Sequence, residues 1–196
     1  SGAATLTSTG NMAVTLTDKW LATSGNLALL SSAALNLDGN LETATTGDVT
    51  LTVTAACTFA DGKSLTSVAA ATVYCASSTA VGYTITAVGA VQLSGAWTGS
   101  GALAVTSSGA TVTLNDDITT SGTSSNVAVT CSAGALTLAD TKTVTSGGTT
   151  TLSAQTIASV AYTVASAGAV AVTGPWTATG ALSLTSSAST ITLNDD

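Results

Sequence analysis

Histidine and arginine are absent from this chain of 196 residues, and only three lysines supply positive charge. Without histidine or arginine there is no ready general base and no fork to hold an anion, so acid–base and nucleophilic catalysis have no constellation to rest on. A carboxylate pair in a cleft would be needed for glycosidase or lyase chemistry, and the carboxylates here are strung out along the chain. The expectation is a protein that is not an enzyme. A net charge of −7 and no basic patch remove the electrostatic footing for nucleic acid and for an anionic membrane surface. Charged residues are 7% of the chain and aromatic residues 4%, and proline, methionine and phenylalanine occur once each. A transmembrane barrel needs aromatic girdles that so few rings cannot build. The uncharged stretches Ser64 to Asn115 and Thr143 to Asn194 are broken by Thr, Ser and Gly every second or third residue, so they read as strands and not as membrane helices.

What is present is Ala, Val, Thr, Ser, Leu and Gly, 45% hydrophobic with a mean hydropathy of +0.51. That is apolar enough to exclude a disordered linker. The chain also repeats itself. Gly89 to Asp117 and Gly168 to Asp196 agree at 18 of 29 positions at a shift of 79, and a worn copy from Ala13 to Asp38 places Trp20 opposite Trp97 and Trp176. The organisation expected is one continuous unit, 1–196, with a worn copy over 1–88, a copy over 89–167 and a partial copy over 168–196.

Within the unit, Leu103-x-Val105, Val112-x-Leu114, Ile118, Val127-x-Val129, Leu136-x-Leu138 and Val144 alternate with small polar residues between Gly, Ser and Asx corners. Period-two alternation sends these side chains to one face of a strand. Helical periodicity is missing. The corner-bounded segments group into coils of roughly 20 residues, about four per 79-residue unit and about ten in all, each rising about 4.8 Å. The fold expected is all-β, a right-handed parallel β-solenoid; the register of 155–167 stays open. A narrow solenoid core is filled by Ala, Val, Thr and Leu, and Pro175 falls at a corner where a missing N–H does no harm.

Thr111 to Ala154, TVTLNDDITTSGTSSNVAVTCSAGALTLADTKTVTSGGTTTLSA, resembles the repeat regions of filamentous-haemagglutinin-like exoproteins and giant bacterial surface adhesins. The resemblance covers nearly the whole chain. It implies a right-handed parallel β-helix, export to the cell surface, and service as a stalk or adhesive fibre. The secretion-recognition domain of that family is not identifiable in these residues.

Three features bear on function. Asp18, Lys19, Asp38, Asp61, Lys63, Asp116, Asp117, Asp140, Lys142, Asp195 and Asp196 each follow a strand, and stacking would bring them to one kind of corner as a ridge. A solvated ladder of turns is one reading. A Ca²⁺ site on Asn115, Asp116, Asp117 and Asp140 is the other, although the nonapeptides of calcium-binding rolls and the EF-hand loop are missing. Cys57, Cys75 and Cys131 interchange with Leu136, Ala154 and Val53, so they read as buried reduced thiols, not as a disulfide or metal site. The tryptophans read as corner filling, with a sugar-stacking platform as the lesser role.

The function expected is a structural segment of an extracellular or cell-surface filament, stalk or sheath. An adhesin binding glycan or a host protein is the alternative, and an ice-binding face is a third, hinted at by Thr50-Thr52, Thr84-Thr86 and Thr190-Thr192. The chain opens at Ser1 without Met and shows no signal peptide, as a processed form or an excerpt would. Neither SGAATLTSTG nor STITLNDD reads as a cap, so self-association end to end is the partner expected.

Overall fold

A computed structural model describes residues 2–194. Among the described residues twenty strands follow one another without a helix: β1 Ala4–Ser8, β2 Met12–Ala22, β3 Leu27–Ser31, β4 Leu35–Thr43, β5 Val49–Phe59, β6 Lys63–Ser67, β7 Ala71–Ala80, β8 Tyr83–Ala87, β9 Val91–Gly99 and β10 Leu103–Ser107. They continue as β11 Val112–Leu114, β12 Ile118–Thr120, β13 Val127–Leu138, β14 Lys142–Ser146, β15 Thr150–Ser159, β16 Tyr162–Ser166, β17 Val170–Thr173, β18 Trp176–Ala178, β19 Leu182–Ser186 and β20 Ile191–Asn194. Every pairing is parallel, and partners lie about one coil apart in sequence, as in Ala4↔Leu27, Leu27↔Val49 and Val49↔Ala71. The protein is a parallel β-solenoid of about nine turns of ~21 residues, one turn fewer than the sequence suggests. At a parallel strand spacing of about 4.8 Å, nine turns rise roughly 40 Å.

The pairings resolve each coil into three segments, hence three faces. The first face stacks β1, β3, the first halves of β5, β7 and β9, then β11, the second halves of β13 and β15, and β18. The second face stacks the first halves of β2 and β4, the second halves of β5, β7 and β9, then β12, β14, β16 and β19. The third face stacks the second halves of β2 and β4, then β6, β8, β10, the first halves of β13 and β15, β17 and β20. Seven long strands thus run through a corner, and several of them shift register there, as β5 does against β7 between Val53 and Ala56.

Alternation dictates the core. Val105, Val112, Leu114, Val127, Val129, Leu136 and Val144 are among the buried side chains that fill the prism, while the intervening Thr, Ser and Ala face outward. Each β-branched or Leu side chain sits above its equivalent one coil below, as Val105 does between Ile85 and Val129. Gly95 and Gly174, equivalent under the 79-residue shift, both turn a corner with positive φ (94° and 102°). A Cβ at either would lie about 2 Å or less from the carbonyl oxygen of Cys75 or Ala154 in the coil below, so only glycine fits. The segment whose register was open resolves simply: Ile157 to Ser159 lie on the first face under Trp176 to Ala178, and Tyr162 to Ser166 on the second.

The duplication does not contain four whole coils. Val91 lies on the first face of the fifth coil, and its counterpart Val170 lies on the third face of the eighth. Eleven segments separate them, one short of four coils, so each copy is turned by one face relative to the copy before it. The tryptophans display the turn. Trp20 sits on the third face beside Leu41, Trp97 on the second beside Ile118, and Trp176 on the first beside Ile157.

Candidate functional site

That turn by one face corrects the expected ridge. Asp18, Lys19, Asp38, Asp61 and Lys63 lie between the second and third faces of coils one to three. Asn115, Asp116, Asp117, Asp140 and Lys142 lie between the first and second faces of coils six and seven. The charges therefore form two short clusters on different corners, not one line; Asp195 and Asp196 lie outside the described residues.

In the second cluster the acids are engaged by neighbouring coils. The Asp116 Oδ1 accepts a hydrogen bond from Lys142 Nζ at 2.8 Å and its Oδ2 one from the Gly95 N–H at 2.8 Å. Asp117 Oδ1 accepts from the Thr143 N–H at 2.7 Å and from the Thr143 hydroxyl at 3.1 Å. Asp140 Oδ1 accepts from the Ala161 N–H at 3.2 Å, and Asn115 Nδ2 donates to Ser94 Oγ at 2.8 Å. The Lys142 ammonium holds the Asp116 carboxyl below its ordinary pKa, helped by the Gly95 N–H and opposed by partial burial, while Asp116 raises Lys142. In the first cluster Lys19 turns to Glu42 at 2.6 Å, which raises the lysine, and Lys63 lies 4.0 Å from Asp38. All three pairs are part-exposed, so solvent screening leaves them little net worth.

The same chemistry recurs at residues outside the two charged clusters. Asn26 Oδ1 accepts from the Asp48 N–H, Asn40 Oδ1 from the Ser64 N–H, Asp48 Oδ1 from the Ala70 N–H and Asn126 Oδ1 from the Thr149 N–H, all within 2.8–3.0 Å. A corner interrupts the ladder and leaves backbone donors free; an Asx side chain one coil away satisfies them. The spacing of about one coil between Asx residue and corner was the available signal. Among the described residues no group of three or more His, Cys, Asp or Glu side chains converges as a metal ion would need.

The cysteines depart from the expectation of three reduced thiols. Cys57 and Cys75 are bonded, with Cα atoms 6.0 Å apart, and Cys131 is free and buried. All three point inward as their counterparts imply, and all three are buried. What decides the pairing is position: Cys57 opens the second face of the third coil and Cys75 closes the first face of the fourth, so the two flank one corner on successive coils. In the second copy the equivalent corner holds Leu136 and Ala154, with Cys131 below Ala154.

Trp97 is buried core, its ring stacked on Phe59 (centroids 5.1 Å apart, planes at 11°) and tilted to Tyr83 at 6.1 Å. Ser78, Ala80 and Gly99, small residues on the same face, leave the room these rings occupy. The hydroxyls of Tyr83, Tyr162 and Ser78 have no hydrogen-bond partner among the described residues, and burial pushes both tyrosines above their ordinary pKa. Trp176 is half-buried and donates from Nε1 to Ser159 Oγ at 2.9 Å.

Two shallow grooves lie outside the core. One, of about 260 Å³, is lined by Thr58, Phe59, Thr79, Ala80, Val81, Thr98, Gly99, Ser100 and Ser121. The other, of about 280 Å³, is lined by Thr137, Leu138, Ala158, Ser159, Val160, Thr177 and Thr179, each the counterpart at a shift of 79 of a residue in the first. Neither carries a charge. The Thr-x-Thr pairs scatter: Thr50-Thr52 lies on the first face, Thr84-Thr86 and Thr192 on the third.

The outermost described coils expose apolar side chains. Leu6, Leu182, Ile191 and Leu193 are exposed, and an apolar hollow of about 240 Å³ between Val172, Trp176, Leu182, Leu184 and Leu193 opens at the ninth coil. A second hollow, lined by Leu6, Val14, Leu16, Lys19 and Trp20, opens at the first. No family model matches the chain, nor does any curated protein or solved structure. The class of protein is therefore defined by the architecture alone, the parallel β-solenoid.

Proposed function

We propose that this chain is a structural rod: a segment of an extracellular or cell-surface filament, stalk or sheath that lengthens by adding coils of its own kind at its ends. The observation that carries this reading is the stack itself: one parallel sheet wound through about nine coils, with the core side chains of each coil seated on those of the coil below. A solenoid in which each coil contacts only its neighbours lengthens by adding coils, which makes it a spacer of adjustable length. The acids and lysines serve corner hydrogen bonding, which fits a scaffold better than a reaction centre. A buried disulfide between coils suits an oxidising compartment outside the cytosol, in keeping with a surface location. Negative-stain microscopy with sedimentation over a concentration series tests the proposal: elongated species should grow with concentration, whereas a single monomeric rod at every concentration would refute it.

The adhesin reading keeps one observation in its favour, the uncharged groove that occurs twice on faces one step apart. It would offer a neutral hydroxyl-rich ligand such as a glycan two equivalent contacts. A glycan array probed with the wild type and with Thr79→Lys would decide, since binding by the groove should fall with the introduced charge.

A further inference from the structure

We propose that the Cys57–Cys75 bond is a stop against uncoiling, one that a dithiol releases only after load along the rod has exposed it. The proposal rests on the rod reading, since a rod is what carries such load. Among the described residues this bond is the one covalent link between coils besides the chain itself. The equivalent corner of the second copy holds Leu136 and Ala154 without a bond, and it shifts register there as the first copy does. The corner does not need the bond for its shape.

The ladders show where load meets the bond. Pulling on a solenoid takes strands one at a time from an edge, where a ladder holds the strand on one side only. A pull that has peeled the chain up to Cys57 passes through the sulfurs to Cys75 and skips the residues between. The skipped stretch holds the second half of β5, all of β6 and the first half of β7, which stay paired with β7, β8 and β9. Load then falls on the second half of β7, where Ser78 to Ala80 lie between Cys57 to Phe59 and Trp97 to Gly99. A pull from the other direction crosses from Cys75 to Cys57 and falls on the first half of β5, where Val49 to Val53 lie between Leu27 to Ser31 and Ala71 to Cys75. Either way two ladders must break together. Phe59, inside the skipped stretch, is packed against Tyr83 and Trp97 and adds to the hold.

In the relaxed rod both sulfurs are buried, which keeps a reductant away. Peeling up to either cysteine strips a neighbouring coil from over the bond. A thiolate of the dithiol then attacks one sulfur, forming a mixed disulfide and expelling the other cysteine as a thiolate. The second thiol of the reagent displaces the remaining cysteine, the reagent leaves as a cyclic disulfide, and its two hydrogens end on the cysteines. The skipped 18 residues, at roughly 3.4 Å each, span about 60 Å against 6.0 Å between the bonded Cα atoms, so release lengthens the chain by about 55 Å.

Single-molecule stretching of the chain between two handles tests the proposal. The oxidised protein should show one rupture that needs more force than its neighbours. Its total release should fall about 55 Å short of that of Cys57→Leu/Cys75→Ala, a pair with which the second copy already folds. With dithiothreitol present and the chain held peeled as far as the stop, a further step of about 55 Å should appear. The same exposure of the relaxed protein, followed by removal of the reagent, should leave the stop in place. Sedimentation judges the filament reading separately: a chain that never associates can still show the stop, and one that associates can lack it. Equal release and equal forces in wild type and variant would overturn the stop. Loss of the stop after exposure without load would overturn its gating by load.

Discussion

Opening the Cys57–Cys75 bond should destabilise the rod by an amount set by the chain it closes. The two cysteines are 18 residues apart, and the chain-entropy relation for a loop of that length gives roughly 3 kcal/mol at 25 °C. For a chain of this size that corresponds to a fall in melting temperature of about 6–12 °C. Because both sulfurs are buried, reductant should act slowly on the folded protein and quickly once it is unfolded. The decisive comparison uses the copy that the chain already carries. Cys57→Leu/Cys75→Ala installs the pair found at Leu136 and Ala154, keeping an apolar corner while removing the bond. Guanidinium unfolding followed by tryptophan fluorescence should place this variant close to the reduced wild type, both well below the oxidised protein. Cys57→Ala/Cys75→Ala should fall further, through the cavity it adds. Equal midpoints for oxidised and reduced wild type, with the thiols shown free by mass, would refute the reasoning, as would three alkylatable thiols in the protein as isolated.

Other outcomes follow from the corners and the core. Gly95→Ala should cost more than about 2 kcal/mol in thermal or chemical unfolding, because its φ and the Cys75 carbonyl both forbid a Cβ. Trp97→Ala should cost about 3–5 kcal/mol by cavity formation, and Trp176→Ala, at a half-buried site, distinctly less. The pairing of Asp116 gives a definite pH sign. Its folded pKa lies below the unfolded value, so its contribution is complete at neutral pH and is lost as pH falls below about 4 towards the depressed value. The stability gap between wild type and Asp116→Asn should therefore shrink on acidification; a gap that widens in acid would contradict the pairing.

Much of the fold is legible in the residues because a half-buried parallel strand has a period of two and a solenoid core is narrow. Val105, Val129, Leu136 and Val144 are assigned inward from spacing alone, and each is buried. The placement of features around the axis is not legible in the same way. Corners vary from two residues at Val81-Gly82 to six at Ser121 to Asn126, so counting residues does not count faces. This is how the 79-residue unit passes for four coils when it holds eleven segments, and why acids that look like one ridge divide between two corners. The disulfide escaped for a related reason. Inward direction follows from the copies, but whether two inward sulfurs meet depends on their coil and corner, and a separation of 18, one coil less a corner, is the clue. The Asx caps at Asn26, Asn40, Asp48 and Asn126 carry the same clue, a side chain answering a backbone donor about one coil away.

Fibre diffraction from a concentrated, shear-aligned sample tests most directly the claim that these rods lengthen end to end. The account predicts a sharp meridional reflection near 4.8 Å, from strands perpendicular to the fibre axis. A sample that does not align, or one whose reflection near 4.8 Å lies off the meridian, would contradict the account.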